Sequence, residues 1–267
     1  TIAKAVYNHI FDKFEGSSFL ANVREASKQY NGHGLVHLQE QLLRDVLRKN
    51  LAINNVDNGI NLIRNRLRYK RVLIIVDDVD EMKQLNALVG KRDWFGLGSR
   101  IIVTTRDEHL LNKLEVDEKY DGKEMNHDES LQLFSWHAFR QDHPIEDYVE
   151  LSDAILDCGR GLPLALENFG SSLFGKGMHE WKSALEKWQT IPSDHVQEKL
   201  RISYDRLDRT EKEIFLDIAC YLNGMDQDYV IEILDACDLF PKIGIDNLVC
   251  KSLVKNQGNT LNMHEML

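Results

Sequence analysis

One short segment constrains the fold more than any other: five consecutive apolar residues, Val72 to Val76, run directly into two carboxylates, Asp77 and Asp78. An apolar run of this length without polar alternation is typical of a strand buried on both faces of a parallel sheet. Ligands of such sheets bind beyond the carboxyl ends of the strands, where this acid pair is expected. One carboxylate there can hold Mg²⁺, directly or through water, and its neighbour can orient a water against a phosphate. A buried strand that ends in an Asp-rich turn fits the segment alone equally well.

The residues around this segment alternate between strand and helix patterns over about 120 positions. Further strands are predicted at Ser17–Val23 and Arg100–Thr105. Apolar residues that recur every three or four positions predict helices, at 2–14, 35–47, 58–68 and 81–89. This alternation indicates the α/β class, with a parallel sheet covered by helices on both faces.

From about Asp121 the strand patterns stop and helices are predicted instead. Asp128 is interpreted as the cap of the first of these helices, and Thr210 with Glu213 as a capping box further along. Near the end, two short strand-like stretches flank a turn around Gly258, which indicates a β-hairpin. Helices followed by a hairpin are typical of a winged-helix unit.

These changes divide the chain into three predicted domains. A nucleotide-binding α/β domain spans 1–122, a helical domain spans 123–191, and a winged-helix domain spans 192–267, with a linker at Ile191-Pro192-Ser193. A chain of 267 residues is long enough for two or three domains that each bury a sizeable core.

Composition excludes several classes of protein. The net charge of −10 argues against a general affinity for nucleic acid or anionic membranes. No apolar run approaches the roughly 20 residues needed to cross a bilayer. The four cysteines have no CxxC spacing and no histidine at ligand spacing, so reduced core thiols of an intracellular protein are expected. Both ends look cut from a longer protein, so the lack of a targeting segment is uninformative.

A second chemical motif surrounds Arg106. It follows the buried-type strand Arg100–Thr105, which places its guanidinium at the same edge of the sheet as Asp77 and Asp78. Arginine suits a phosphate because its planar fork donates two charge-assisted hydrogen bonds. A salt bridge at the start of a helix is the alternative, since Asp107 is adjacent.

Two further motifs are weaker when taken singly. Pro163, in Gly159-Arg-Gly-Leu-Pro-Leu-Ala-Leu166, suits the first turn of a helix, which is a sufficient structural reason for it. His264, in Met263-His-Glu265, follows the hairpin, and a single histidine there is more often structural or merely exposed than a ligand.

Together, in this order and spacing, these motifs resemble the NB-ARC module of plant disease-resistance receptors, the nucleotide-binding leucine-rich-repeat proteins. The resemblance covers essentially the whole chain and includes the segments Phe19–Glu25, Arg71–Asp80 (the Walker B pattern), Gly98–Asp107, Gly161–Leu166, Phe215–Cys220 and Met263–Glu265. Asp80 and the segment Phe215–Cys220 resemble the subclass whose full-length members carry an N-terminal TIR domain. The implied fold is a P-loop NTPase-type parallel sheet followed by a helical bundle and a winged helix.

The resemblance implies roles for the residues at the edge of the sheet. Asp77 matches the acid associated with Mg²⁺, and Asp78 matches the catalytic acid placed to assist hydrolysis. Arg106 matches the arginine that senses the terminal phosphate of ATP.

The resemblance also implies nucleotide contacts from the rest of the chain. Thr1 fits the residue just after the Gly-Lys-Thr of the phosphate-binding loop. Pro163 matches the proline that packs near the base and sugar, and His264 matches the histidine that contacts the β-phosphate of bound ADP. Glu265 replaces the usual aspartate, which puts the strength of the closed-state contact in doubt.

The phosphate-binding loop itself, and the sheet strand before it, are not found in the 267 residues and are expected just upstream. Arg100–Thr105 is then expected to lose a neighbouring strand. We therefore expect the isolated polypeptide to fold poorly, to bind nucleotide weakly and to be inactive.

The predicted function is an ADP/ATP-binding molecular switch of an intracellular plant immune receptor, in the cytoplasm or nucleus. Its expected partners are adenine nucleotide and Mg²⁺, TIR and leucine-rich-repeat domains of the same protein, and further copies of itself when activated. A P-loop ATPase with multiple turnover is the first alternative. A nucleic-acid-binding winged helix is the second, and 13 acidic against 8 basic residues in 195–267 argue against it.

Overall fold

The protein is described by a computed structural model that covers residues 2–29, 32–190, 201 and 204–263. The chain divides between Lys119 and Tyr120 into two compact units, which we describe separately. Among the helices described, none combines the length and the apolar character that a membrane span requires.

The first unit is a parallel sheet with helices on both faces. In chain order its elements are α1 (Ile2–Ile10), β1 (Gly16–Leu20), α2 (Val23–Ala26), α3 (Gly34–Leu47), α4 (Val56–Leu67), β2 (Val72–Val79), α5 (Met82–Val89), β3 (Arg100–Thr105) and α6 (Glu108–Leu114). The strands lie in the order β1-β2-β3, and both pairings are parallel. The predicted α/β class is therefore confirmed. The first strand is shorter than predicted, because Val23 begins α2 instead of ending β1.

The central strand β2 explains the unbroken apolar run. All five side chains from Val72 to Val76 are fully buried. Leu73 and Ile75 pack with residues of α1 on one face, and the other three join the larger core formed with α3, α4 and α5. Burial contributes roughly 1.5–3 kcal/mol for each such side chain. Because both faces are covered by helices, no position of the run is available for a polar residue.

Strand β3 lies at the edge of the described sheet. It pairs with β2 on one side, and β2 is its single partner among the strands described. Its apolar residues Ile101, Ile102 and Val103 are only partly buried, unlike those of β2. This partial exposure agrees with a position at the edge of the described sheet.

The second unit begins with four helices around an aromatic core. They are α7 (His127–Phe139), α8 (Val149–Gly159), α9 (Pro163–Leu173) and α10 (Met178–Thr190). Trp181 is almost fully buried and lies edge-on to Phe134, with 5.8 Å between the ring centroids. Such pairs stabilise a core by about 0.5–1.5 kcal/mol beyond the area that they bury.

The rest of the second unit has its own hydrophobic core. Its elements are α11 (Arg209–Asp217), a π-helical turn (Ile218–Leu222), α12 (Gln227–Asp235), α13 (Pro241–Cys250), β4 (Lys255–Gln257) and β5 (Thr260–Asn262). The two strands are antiparallel and joined by Gly258 and Asn259, which both have positive φ. A two-residue turn of this kind matches the twist of a hairpin. Helices followed by a hairpin are therefore present as predicted.

Both helix caps predicted in this unit are wrong by two residues. Asn126, not Asp128, caps α7 and forms a capping box with Glu129. Asp208 caps α11 with Glu211, and the hydroxyl of Thr210 donates to the Asp208 side chain instead of capping the helix itself. In each case an Asn or Asp stands three positions before a Glu, which is the spacing that a capping box requires.

Candidate nucleotide site

The acid pair lies inside a β-bulge near the end of β2. Val76 is opposite Val103, but Val79 is opposite Thr105, so β2 contains one residue more than β3 over this stretch. Asp78 takes up the extra length with a φ of +58°, which is uncommon for a residue that has a side chain. The strand thus continues to Val79 instead of ending before the acids. Bulges next to functional sites commonly redirect side chains.

Two threonines of β3 hold the bulge in place. The hydroxyl of Thr104 accepts a hydrogen bond from the Asp78 backbone N–H at 2.8 Å and donates one to Oδ1 of Asp77 at 2.7 Å. The hydroxyl of Thr105 donates to the Val79 carbonyl at 2.8 Å and accepts from the Asp107 N–H at 3.0 Å. These bonds replace the ladder contacts that the bulge interrupts, so the geometry of the acids depends on the neighbouring strand.

The carboxylate of Asp77 could serve as a ligand of a magnesium ion. Its Oδ1 is bonded to Thr104, and Oδ2 has no hydrogen-bond partner among the described residues. One free carboxylate oxygen fits Mg²⁺, which proteins usually hold through one or two carboxylates, waters and substrate phosphates. In the described part of the chain, no three His, Cys, Asp or Glu side chains converge as a dedicated metal cage.

Asp78 lies between two arginines. Nε of Arg24 donates a 2.7 Å hydrogen bond to Oδ2, and Nε of Arg106 lies 4.0 Å from Oδ1. The Arg24 side chain is about 10% exposed, and that of Arg106 about 48%. Arg24 is therefore held within the protein, whereas the side chain of Arg106 is about half exposed. Asp107 caps α6 by accepting from the His109 N–H at 2.9 Å.

A further set of hydrogen bonds links α2 to the loop that follows β2. The amide of Gln84, which is fully buried, donates to Oδ1 of Asp80 at 2.6 Å and to the Ser27 hydroxyl at 2.9 Å. The Ser27 hydroxyl donates in turn to the carbonyl of Arg24 at 3.1 Å. The segment that carries Arg24 is therefore fixed against the loop that follows the acid pair.

The structure brings together three of the residues that the sequence singled out, Asp77, Asp78 and Arg106, at one edge of the first unit. Pro163 lies in the second unit as the first residue of α9, where it is exposed. Thr1 and His264 lie outside the described residues.

Sequence reasoning missed three residues of this edge: Arg24, Thr104 and Thr105. A usable signal existed for each of them. Both threonines are polar residues at the carboxyl end of an otherwise apolar strand. Arg24 follows β1, a parallel strand whose carboxyl end lies at the same edge as those of β2 and β3.

Comparison with known families identifies two domains. Residues 1–143 match the family model described as the NB-ARC domain. Residues 208–267 match the model described as "Disease resistance protein Roq1-like, winged-helix domain". The first match covers more than half of the chain, and the second coincides with α11 to β5.

Comparison with individual proteins gives relatives along the entire chain. Disease resistance protein RUN1 from Vitis rotundifolia is 44% identical over 269 residues, and TMV resistance protein N from Nicotiana glutinosa is 39% identical over 275. Each alignment covers 100% of this chain but only 20% and 23% of the relative, respectively. The chain thus spans about a fifth of the length of these relatives.

A solved structure supports the fold independently. The Walker-type ATPase PABY2304 of Pyrococcus abyssi matches with a TM-score of 0.58 at 12% identity, over 93% of this chain and 81% of that chain. At this identity the likeness concerns the fold alone. The resemblance stated from the sequence motifs is confirmed, and the chain belongs to the NB-ARC family of plant disease-resistance proteins.

Proposed function

We propose that this chain is the ADP/ATP-binding switch of an intracellular plant immune receptor, closed with ADP and signalling with ATP. The observation that carries the proposal is the juxtaposition of Asp77, Asp78 and Arg106 at the carboxyl edge of a parallel sheet. This edge is where such sheets bind ligands. Membership of the NB-ARC family and a fold shared with a Walker-type ATPase support a nucleotide as that ligand.

Each residue at the edge has a distinct task in this proposal. Asp77 would hold Mg²⁺, directly or through water, and the ion would neutralise charge on the phosphates. Asp78 would accept the proton of an attacking water. Arg106 would read the terminal phosphate with a charge-assisted hydrogen bond.

The switch also requires contacts from beyond the first unit, which the family resemblance assigns to Thr1, Pro163 and His264. A nucleotide present at about 100 times its Kd stabilises the form that binds it by roughly 2.7 kcal/mol. To invert a two-state population from 1:99 to 99:1, a ligand must bind one state more tightly than the other by about 5.5 kcal/mol. One charge-assisted hydrogen bond contributes roughly 1.5–3 kcal/mol, so Arg106 must act together with the ion and with loss of the His264 contact.

The test is the affinity of the intact protein for ADP and for ATP, measured by calorimetry with and without Mg²⁺. Arg106→Gln should weaken ATP binding by at least roughly tenfold and change ADP binding much less. Arg100→Gln is the matched control, because Arg100 lies at the opposite end of the same strand. Equal losses for both nucleotides, or equal effects of the two variants, would contradict a sensor role for Arg106.

A second measurement addresses the winged-helix contact. His264→Ala should reduce the protection from hydrogen exchange that ADP gives to α13 and the hairpin. Protection of these elements that is the same with and without the histidine would count against a switch controlled by this domain.

A further inference from the structure

The aromatic core of the second unit contains three buried polar atoms that the surrounding side chains and backbone leave unsatisfied. They are the hydroxyls of Ser135 in α7 and Ser152 in α8, and the indole N–H of Trp181 in α10. Both serines are fully buried and Trp181 is 1% exposed, and none of the three atoms has a hydrogen-bond partner among the described residues. Native proteins leave few such atoms, because burying a polar group without a hydrogen bond is costly. In the described part of the chain the only other one is Oε1 of Gln39, in the first unit.

The rings around Trp181 bring these three polar groups into one part of the core. Trp181 contacts the rings of Phe139 and Tyr148, with 5.2 and 4.7 Å between the ring centroids, and those two rings also contact each other at 5.8 Å. Phe139 is the last residue of α7, and Tyr148 directly precedes α8. Ser135 lies four positions before Phe139, and Ser152 lies four positions after Tyr148, and residues four apart in a helix share a face. Each serine is therefore about one turn from a ring that contacts Trp181, on the side away from the connection between the two helices.

The chemistry of the three groups suits a water molecule placed between them. The two hydroxyls can each donate and accept a hydrogen bond, whereas the indole N–H can only donate. None of the three is bonded to another. A single water can accept from the indole N–H and from one hydroxyl while it donates to the other hydroxyl, which satisfies all three groups at once. Buried waters typically make about three hydrogen bonds of this kind to groups that otherwise have no partner.

We propose that Ser135, Ser152 and Trp181 form a binding site for one buried water molecule, which links α7, α8 and α10 within the second unit. This inference does not depend on the proposed nucleotide-binding function. The competing arrangement is a hydroxyl that turns to the carbonyl four positions earlier in its own helix, Leu131 for Ser135 and Tyr148 for Ser152, as serines within helices can do. That arrangement satisfies the two hydroxyls but leaves the indole N–H without an acceptor.

The sign of the stability change in two serine variants is the first test. If the water is bound, Ser135→Ala and Ser152→Ala each remove one of its partners, and each should raise the unfolding equilibrium constant roughly fivefold. If the hydroxyls instead have no partner in the folded protein, alanine removes a buried polar group that only costs free energy, and both variants should be at least as stable as the wild type. Urea denaturation measures the difference, and wild-type or higher stability of both variants would overturn the proposal.

Coupling between the two serines separates a shared water from two independent hydrogen bonds. A water that has lost one partner is held less firmly, so the double variant should unfold less readily than the product of the two single effects predicts. Ser130→Ala is the matched control, because Ser130 is a buried residue of the same helix whose hydroxyl donates to the Met125 carbonyl at 3.4 Å. Its effect and that of Ser152→Ala should multiply. Effects of Ser135→Ala and Ser152→Ala that also multiply would indicate bonds within their own helices and would overturn the proposal.

A crystal structure of the wild-type protein that shows ordered solvent is the direct test, and it decides even if a variant fails to fold. A solvent peak is expected within about 3.2 Å of both serine hydroxyl oxygens and of Nε1 of Trp181. Serine hydroxyls bonded to the carbonyls of Leu131 and Tyr148, or a core without a solvent peak beside the indole nitrogen, would overturn the inference.

Discussion

The hydroxyl of Thr104 donates a 2.7 Å hydrogen bond to the carboxylate of Asp77, although the two residues belong to different strands. The same hydroxyl accepts from the backbone of Asp78. One side chain of β3 therefore orients both acids of β2. Because β3 also leads into Arg106, a shift of this strand would move the acids and the arginine together.

Replacing this hydroxyl should disturb the acid pair without changing the size of the side chain. Thr104→Val leaves the Asp78 N–H without its acceptor and Asp77 without its donor. We expect a loss of about 1–3 kcal/mol in the free energy of unfolding, measured by urea denaturation. Mg²⁺ should also enhance ADP binding less than in the wild type, as measured by calorimetry. Thr104→Ser keeps the hydroxyl and should remain close to wild type, and equal behaviour of the two variants would show that the bonds do not matter.

Gly161 in the segment before α9 is required for two separate reasons. Its φ is +68°, and a Cβ there would lie 2.6 Å from the carbonyl oxygen of Met125. The Gly161 carbonyl also accepts from the Met125 N–H at 3.0 Å, so the two backbones cannot separate cheaply. Gly175 offers a control with φ +73° and nothing within 4 Å of the added atom.

We therefore expect Gly161→Ala to destabilise the second unit more than Gly175→Ala. The control substitution Gly175→Ala should lower the free energy of unfolding by about 1–2 kcal/mol, which is the cost of placing a residue with a Cβ in the left-handed conformation. Gly161→Ala should cost this amount and a clear further increment for the displaced backbone. Chemical denaturation followed by tryptophan fluorescence would measure both, since Trp181 lies in the adjacent core. Equal losses would mean that the segment moves aside freely.

The winged-helix core contains a buried ion pair between Glu211 and Lys251. Glu211 is 4% exposed and accepts from Nζ of Lys251 at 2.7 Å, from Nδ2 of Asn247 at 2.9 Å and from the Asp208 N–H at 3.0 Å. The pair joins the first turn of α11 to the residue after α13. It therefore holds together two helices that are distant in sequence.

Removing the cation from this buried pair should lower the free energy of unfolding more than removing a cation from an exposed pair. Lys251→Met should lower the free energy of unfolding by roughly 2–3 kcal/mol, somewhat below the 3–5 kcal/mol of a fully buried pair because the lysine is partly exposed. Arg209→Met breaks the exposed pair with Glu213 in the same domain and should cost less than about 1 kcal/mol. Denaturant titrations of the two variants provide the comparison. Similar losses would indicate that solvent screens Glu211 as well.

The fold class and the position of the acid pair could be predicted from the apolar run at Val72–Val76. With helix patterns before and after it in the sequence, such a run indicates a strand buried on both faces of a parallel sheet. The position of Arg106 followed from the rule that parallel strands present their carboxyl ends at one edge. The bulge at Asp78 could not be predicted, because it depends on the register between β2 and β3, and side-chain alternation within one strand does not encode that register.

The partners of the acids were missed for a related reason. The contact between Arg24 and Asp78 joins a residue of α2 to a residue of β2, and their distance depends on how α2 packs. The caps of α7 and α11 were encoded locally but were read two residues too late. At α11 two pairs have the capping-box spacing, Asp208 with Glu211 and Thr210 with Glu213, and the structure uses the first; at α7 the cap is Asn126, three positions before Glu129.

The corrected cap at Asp208 leads to a prediction about pH. The backbone N–H of Glu211 and the hydroxyl of Thr210 donate to the Asp208 carboxylate, and these hydrogen bonds hold its pKa below the usual value of 3.8. A depressed pKa in the folded state means that the ionised carboxylate contributes stability above the unfolded pKa. This contribution is lost as the pH falls from about 4 through the lower folded value.

Asp208→Asn should separate this contribution from all other acid effects. Asparagine caps a helix about as well as aspartate, but it carries no negative charge to interact with the helix N-terminus. Near pH 7 the variant should therefore be less stable than the wild type by roughly 0.3 kcal/mol, the contribution expected at an exposed site, and should melt at a slightly lower temperature. As the pH is lowered from 5 to 3, the wild type should lose this advantage, and the two melting curves should converge. Asp228→Asn is a suitable control, because Asp228 lies in the first turn of α12 without capping it. A gap that stays constant between pH 5 and pH 3 would show that Asp208 is not ionised preferentially in the folded domain.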